Sequence, residues 1–327
     1  MSFIKSKKHP SSPPSPAASS CCLSAALAGV LLLPAVTAQA QSAGGKLPSV
    51  QVDAAKESPY KAEQSASPKY TQPLVDTPQT LQVFKRPLME QQGATTLTEV
   101  LRNTPGVGTF FLGENGSTST GDTIYMRGFD ISSAIFVDNV RDLGAISRDV
   151  FNLQQVEVLK GAAGTDNGRG SPTGSVNLVT KQPELADAVS ASGTYGSWNQ
   201  KRATVDWNKV LNPDQGLALR LNLMKQHSGV PGRHQVHSSR DGFAPSLAWG
   251  LNGPTRILFN YVHMQQDNVP DGGVVTLGLP GYRSPDPARP FIGDAPKVNP
   301  SNYYGHVDDY DRVNADMYTL RVQHDFS

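Results

Sequence analysis

Two hydrophobic rhythms divide the chain. Between residues 74 and 183 the apolar residues come in short β-branched runs, at 135–137, 156–159 and 176–179, each bounded by Gly, Asp, Asn or Pro. Such runs predict the buried strands of a small sheet. Leu81 to Phe84 predicts one more strand, and Pro87 suits the first turn of a helix running to Gln92. Thr96 and Glu99 have the spacing of a capping box, Leu97, Val100 and Leu101 make one apolar helical face, and Asn103-Thr104-Pro105-Gly106 stops it. Residues 110–122 (FFLGENGSTSTGD) are too rich in Gly, Ser and Thr to bury themselves, which predicts an exposed loop. The expected unit is an α+β domain over 74–183 with two or three short helices.

After Pro183 the chain alternates. Leu217, Leu219, Leu221 and Leu223 interleave with Ala218, Arg220, Asn222 and Met224; Ala203, Val205 and Trp207 interleave with Arg202, Thr204, Asp206 and Asn208; Tyr318, Leu320 and Val322 interleave with Thr319, Arg321 and Gln323. Side chains of a strand point to opposite faces in turn, so each segment has one greasy and one wet wall. A soluble sandwich buries the greasy wall against a second sheet, whereas a membrane barrel turns it to lipid. The connections favour the barrel: 212–216 and 252–254 read as tight turns, and 227–241 and 267–315 as long polar loops, the short/long alternation of an outer-membrane barrel. Six antiparallel strands are expected, near 188–196, 200–210, 217–226, 243–250, 255–266 and 316–326. Six such strands cannot close around a domain of about 110 residues (74–183). The sequence is therefore expected to be truncated before closure, a partial transmembrane β-barrel over 184–327 with extracellular loops.

The first 40 residues have the layout of a cleaved signal peptide: Lys5, Lys7 and Lys8 without an acid, an apolar run from Leu23 to Val36, and Ala38-Gln39-Ala40. The run is too short for a spanning helix. Cleavage leaves a chain from Gln41 with no cysteine, hence no disulfide framework, thiol nucleophile or thiolate metal site. Losing three lysines turns the formal charge of +1 slightly negative, which argues against a nucleic-acid partner. Residues 41–73, rich in Ala, Ser, Pro, Gln and Lys, predict a flexible tail. Within it, Leu47 to Ala54 (LPSVQVDA) is a lone alternating island that fits either an edge-pairing strand or a slightly apolar piece of linker.

Catalytic signatures are weak. Gly168-Arg169-Gly170 with Gly174 is one residue too long for a dinucleotide fingerprint, and strand-like SVNLVTK follows where a helix is required. No Walker-type loop, H-E-x-x-H or G-x-S-x-G occurs. No enzyme activity and no bound cofactor is expected. His227, His234 and His237, and separately Asp308, Asp309 and Asp311, are open to metal binding, but solvated loop residues are the commoner reading.

Several motifs in register carry a resemblance. MRGF (126–129), FVDN (136–139), QVEVLKG (155–161) and the Gly-rich stretch before SVNLVTK occur in the order and spacing of the plug domain of TonB-dependent outer-membrane receptors. With GATTLTEVLRNTPGVGTFF (93–111) and GTDNGRGSPTG (164–174), the chain most resembles the receptors for monomeric and linear catecholate siderophores. The resemblance implies an outer-membrane location in a Gram-negative bacterium, contact with membrane lipid, and a ferric siderophore as transported ligand. It also implies energy from TonB and its inner-membrane complex, with Val50, Val52 and Ala54 in the TonB-pairing strand. A hydroxamate, heme, cobalamin or saccharide cargo on the same architecture remains open, as does a secreted β-rich interaction protein.

An anionic, aromatic iron complex calls for guanidinium groups and aromatic walls. By resemblance Arg141 lies on the outward apex with Glu114, Asn115 and the loop around Ser132, where it is either an anion contact or an ion-pair partner of Asp142. Tyr282, Arg283, Arg289, Tyr303 and Tyr304 are candidates from the outer loops. Arg127 and Arg169 are expected instead as buried bridges between plug and barrel. The family turn usually has Gly where Asn139 stands, a change that Asn tolerates because it adopts positive φ.

Overall fold

The computed structural model describes residues 59–110, 121–162, 172–274, 288 and 298–326. The signal-peptide expectation, the Leu47–Ala54 island, Glu114, Asn115, Arg169, Tyr282, Arg283 and Arg289 lie outside the described residues.

A 3-10 turn at Leu74–Asp76 leads into β1 (Thr80–Lys85) and α1 (Arg86–Gln91). Next come α2 (Leu97–Leu101), β2 (Val107–Phe110), β3 (Thr123–Met126), β4 (Phe129–Asp130), β5 (Ile135–Val137), β6 (Val140–Asp142), β7 (Leu153–Lys160) and β8 (Gly174–Thr180). One sheet has the order β1-β7-β8-β5-β6, and β2-β3-β4 form a second, smaller one. β5 and β8 run parallel; the other pairs of these two sheets are antiparallel. Leu97, Val100, Leu101, Ile124, Ile135, Val156, Val158 and Val176 are fully buried in one core. The three short apolar runs are therefore its heart.

Local chemistry explains the elements. Pro87 opens α1, where a missing N–H costs nothing. Thr96 and Glu99 close the capping box in both directions: Thr96 Oγ1 accepts from the Glu99 amide at 3.3 Å, and Glu99 Oε2 accepts from the Thr96 amide at 3.2 Å. β5 and β6 are joined by Asp138 and Asn139 at φ 48 and 70, a two-residue hairpin turn that demands positive φ at both places. Asn139 does there what glycine does elsewhere. At Gly174 (φ 145) an added Cβ would stand 2.1 Å from the Leu159 carbonyl oxygen, so no side chain fits.

Residues 59–73 depart from the flexible-tail expectation. Ser65 and Ala66 hydrogen-bond to Glu157 of β7, the Leu74 amide donates to Glu63, and Tyr70 donates to Gln79. The segment lies on the domain although only Ser67 in it is buried, because it is held by polar contacts that hydropathy does not report.

The remaining strands are β9 (Ala188–Tyr195), β10 (Lys201–Asn212), β11 (Leu217–Val230), β12 (Arg233–Trp249), β13 (Thr255–Val269) and β14 (Asp311–His324). They form one antiparallel meander in sequence order, open at β9 and β14 among the described residues. The expected loop at 227–241 is corrected: β11 and β12 stay paired up to Gly229 and His237 and turn through Pro231 and Gly232 (φ 73). The misreading has a physical cause. Along 227–241 both faces of the strands carry mostly polar side chains, so the alternation that betrays a strand fades while the backbone ladder continues.

The two walls are as the alternation predicts. Asp206, Asn208, Arg220, Asn222, Gln226, Arg240, Ser246, Asn260 and Gln266 are buried against the α+β domain. Trp207, Leu223, Phe243, Leu247, Trp249, Ile257, Phe259, Tyr318, Leu320 and Val322 are exposed on the opposite face.

Candidate functional site

The contact between the domain and the wet wall is built on two carboxylates. Asp149 is carried by the strand-like segment at which α2 begins: the Leu97 amide donates to Arg148 O and the Val150 amide to Thr95 O. The capping box thus fixes where Asp149 stands. Its side chain is wholly buried and receives Arg202 bidentately, Nη2 to Oδ1 at 2.6 Å and Nη1 to Oδ2 at 2.8 Å. Arg240 Nη1 reaches the same Oδ2 at 3.4 Å, and the Phe151 amide donates to Oδ1. Both arginines come from the wall, so one domain carboxylate ties β10 and β12 together.

Asp206 of β10 reverses the polarity. Arg220 holds it bidentately at 2.8 and 2.9 Å from the neighbouring strand, and from the domain side come Arg86 Nη1 at 2.9 Å and Lys181 Nζ at 3.1 Å. Lys181 also donates to Phe151 O and Asn222 Oδ1. Burial holds the Lys181 ammonium well below the usual lysine range, down to about 8; Asp206 opposes that shift and Arg86 adds to it. Gln266 Nε2 to Ser147 O at 2.5 Å and Asn260 Nδ2 to Thr180 Oγ1 at 3.3 Å complete the polar contact. Its apolar part is small: Phe151 packs with Met224, Ala244, Val262 and Met264. A cavity of about 480 Å³ runs between α1 and β9–β10, with Arg86, Lys181, Arg202 and Asp206 in its lining.

A second constellation surrounds Arg141 in β6. Its Nε donates to Ser133 O at 2.6 Å, while the guanidinium is exposed and its terminal nitrogens have no partner among the described residues. The neighbouring Asp142 pairs with Arg148 Nη2 at 2.8 Å instead. Arg148 also meets Asp122 at 3.2 Å; burial nonetheless raises the Asp122 carboxyl above its ordinary value, and Asp122 Oδ1 lacks a partner among the described residues. Ser132 is committed locally, its Oγ accepting from the Ile124 amide and its amide donating to Asp130 Oδ1.

Past β13 the chain is pinned by Arg233, which is nine-tenths buried and donates to Pro300 O and Asn302 O at 2.8 and 2.7 Å and pairs with Asp271. That clamp positions Tyr303 and Tyr304. Tyr304 is exposed; Tyr303 OH approaches Asp309 at 3.4 Å, and burial together with Asp309 pushes its phenol up.

The sequence profile of the TonB-dependent Receptor Plug Domain matches residues 73–175. Residues 73–175 are a TonB-dependent receptor plug domain. Similarity extends through the plug into the wall strands: the catecholate siderophore receptor Fiu of Escherichia coli K12 is 46% identical over 276 residues, covering 84% of this chain and 36% of the relative. The probable TonB-dependent siderophore receptor PiuA of Acinetobacter baumannii is 33% identical over 307 residues, 93% of this chain and 40% of the relative. The crystal structure of the Escherichia coli K12 ferric-catecholate import receptor Fiu in its closed form superposes with a TM-score of 0.76 at 46% identity, covering 83% of this chain and 38% of that one. The chain thus spans little more than a third of the length of these relatives.

Against that frame of plug and wall strands, the expected site residues separate. Arg141 is tied to the carbonyl of Ser133, the residue after Ser132, and makes no ion pair with Asp142. Tyr303 and Tyr304 share the clamped loop, and no described hydrogen bond or ion pair joins them to Arg141. Arg127, at φ 51, is exposed and makes no plug–wall bridge among the described residues, whose wall strands form an open sheet. The bridges run through Asp149, Lys181 and Arg86. The signal that could have found them was present, since Arg202, Asp206, Arg220 and Arg240 are charges at wet-wall positions, which only a partner inside the wall can compensate.

Proposed function

We propose that this chain is part of an outer-membrane, TonB-dependent receptor that binds a ferric siderophore, a catecholate in preference to other classes, and moves it inward. The observation that carries this reading is a plug domain seated by ions and hydrogen bonds on the wet wall of an antiparallel sheet whose other face is greasy. An ionic contact can be shifted and its pairs reformed, unlike a close-packed apolar core, and that suits a plug that must move for cargo to pass. The relatives named as catecholate receptors support the cargo class. Arg141 serves as an anion contact: its Nε is braced on Ser133 O, so its terminal N–H groups are aimed outward with little entropy left to lose. Tyr303 and Tyr304 supply aromatic faces from the clamped loop, and Glu114, Asn115 and Arg283 complete the mouth. Val50, Val52 and Ala54 pair with TonB as an added strand. No step of this cycle requires covalent chemistry.

The test is uptake of radiolabelled iron by cells expressing the full receptor, offered ferric catecholates and ferric hydroxamates in strains with and without TonB. Catecholate-specific, TonB-dependent uptake is expected. Arg141→Ala should weaken catecholate binding roughly tenfold or more, the value of a charge-assisted hydrogen bond, at unchanged receptor abundance. Unaltered binding removes Arg141 from the site.

A further inference from the structure

Glu157 sits in the middle of β7, 3% exposed, and no cation contacts it among the described residues. Its two oxygens instead collect four neutral donors. Oε1 accepts from Ser65 Oγ at 2.9 Å, the Ala66 amide at 2.6 Å and Gln155 Nε2 at 2.9 Å, and Oε2 accepts from Asn177 Nδ2 at 3.1 Å. Two of these donors belong to the segment leading in from the N-terminus, about ninety residues away in sequence. Glu63 O accepts from the Leu74 amide and Tyr70 OH donates to Gln79, and a cavity of about 20 Å³ lies beside the segment, lined by Ser67, Tyr70, Glu157 and Asn177, large enough for one water. Asn177 passes the connection on: its Oδ1 accepts from the Asn139 amide at the β5–β6 turn, Asp138 in that turn accepts from Thr180, and Thr180 accepts from Asn260 of the wall.

From this geometry we infer that Glu157 is a clasp, a positioning residue that holds the entering segment on the plug and converts its removal into loosening of the plug sheet. A strap of polar contacts peels easily, since each bond is exchanged for one with water. Once Ser65 and Ala66 are drawn away, the Glu157 carboxylate loses two of its four donors and must take water in their place in the middle of β7, which weakens the sheet around it. The strain falls on β7 and β8 and, through Asn177, on the β5–β6 turn, which Thr180 links to Asn260 of the wall. This inference rests on the proposed role of the N-terminal tail as the segment that is pulled.

The experiment is hydrogen exchange on the full receptor in detergent, read at residues 60–70 and at the core residues 97–101, together with binding and uptake of a ferric catecholate by cells. Because all four partners are donors, Glu157→Gln turns an amide N–H₂ toward at least one of them. Exchange at 60–70 should rise roughly tenfold or more while 97–101 stays protected. Asn177→Asp added to Glu157→Gln gives that N–H₂ an acceptor and should restore protection. Ser65→Ala, which leaves the plug interior intact, should raise exchange at 60–70 alone. Uptake per receptor should fall in Glu157→Gln with surface binding unchanged. Exchange at 60–70 that stays as in wild type, or that rises in step with 97–101, overturns the clasp. If the wild-type receptor carries no ferric catecholate, the cargo reading fails, and the exchange results still decide the clasp.

Discussion

Asn139 shows how narrow a residue's role can be. Its φ of 70 is required by the two-residue turn, its amide donates to Asn177 Oδ1, and its neighbour Asp138 takes two hydrogen bonds from Thr180 at 2.9 and 2.6 Å. Asn139→Gly should leave plug stability within about 0.5 kcal/mol of wild type, whereas Asn139→Val should cost about 1–2 kcal/mol, because a β-branched residue resists the left-handed region. Chemical denaturation followed by a plug-specific probe separates the two. The positive φ of this residue was legible in FVDN, since Asn and Asp between two apolar runs are turn formers with few alternatives.

At the scale of elements, patterning read well wherever one face of the element was dry. The capping box at Thr96 and Glu99, the helix after Pro87 and the six wall strands all fall where alternation or helical spacing placed them. It failed where both faces were wet, at the β11–β12 hairpin and in residues 59–73. It also gave no view of ion pairing between elements distant in sequence. Asp149 is the clearest case: it joins α2 to β10 and β12, and removing its charge leaves Arg202 and Arg240 buried side by side. Asp149→Asn should therefore destabilise the seated plug by about 3–5 kcal/mol, the usual consequence of breaking a buried pair from one side. Faster cleavage within the plug by a protease added to the detergent-solubilised receptor, with the strands still heat-resistant, is the expected readout; an unchanged cleavage rate would falsify the clamp.

For the whole molecule, the seat of the plug is a balance of charges and so responds to pH. Burial holds Lys181 at about 8 against 10.5 when free, so the unfolded chain binds the extra proton throughout that interval and the folded one does not. Stability must then rise as pH climbs from about 8 to 10.5, by roughly 3 kcal/mol at most, and be flat for this group below 8. Melting of the detergent-solubilised receptor between pH 7.5 and 10 should show the rise, and Lys181→Met should flatten it. Loss of the rise in the substituted protein alone assigns it to this ammonium.

On the outer wall, Ile257, Phe259 and Tyr261 of β13 give way at the next outward position to His263, paired with Asp316, and then to Asp267, paired with Arg312; on the neighbouring strands Lys225 pairs with Asp241. In the proposed outer-membrane setting hydrocarbon would stop at that row of ions, yet β12 continues eight residues further, from Asp241 to Arg233. At about 3.3 Å per residue the hairpin rises some 25 Å along its own axis beyond the lipid. On the proposed function the clamp at Arg233 sits on a stiff turret, and a ligand docking beside Tyr303 and Tyr304 would be met well out in the aqueous surroundings, not at the membrane surface.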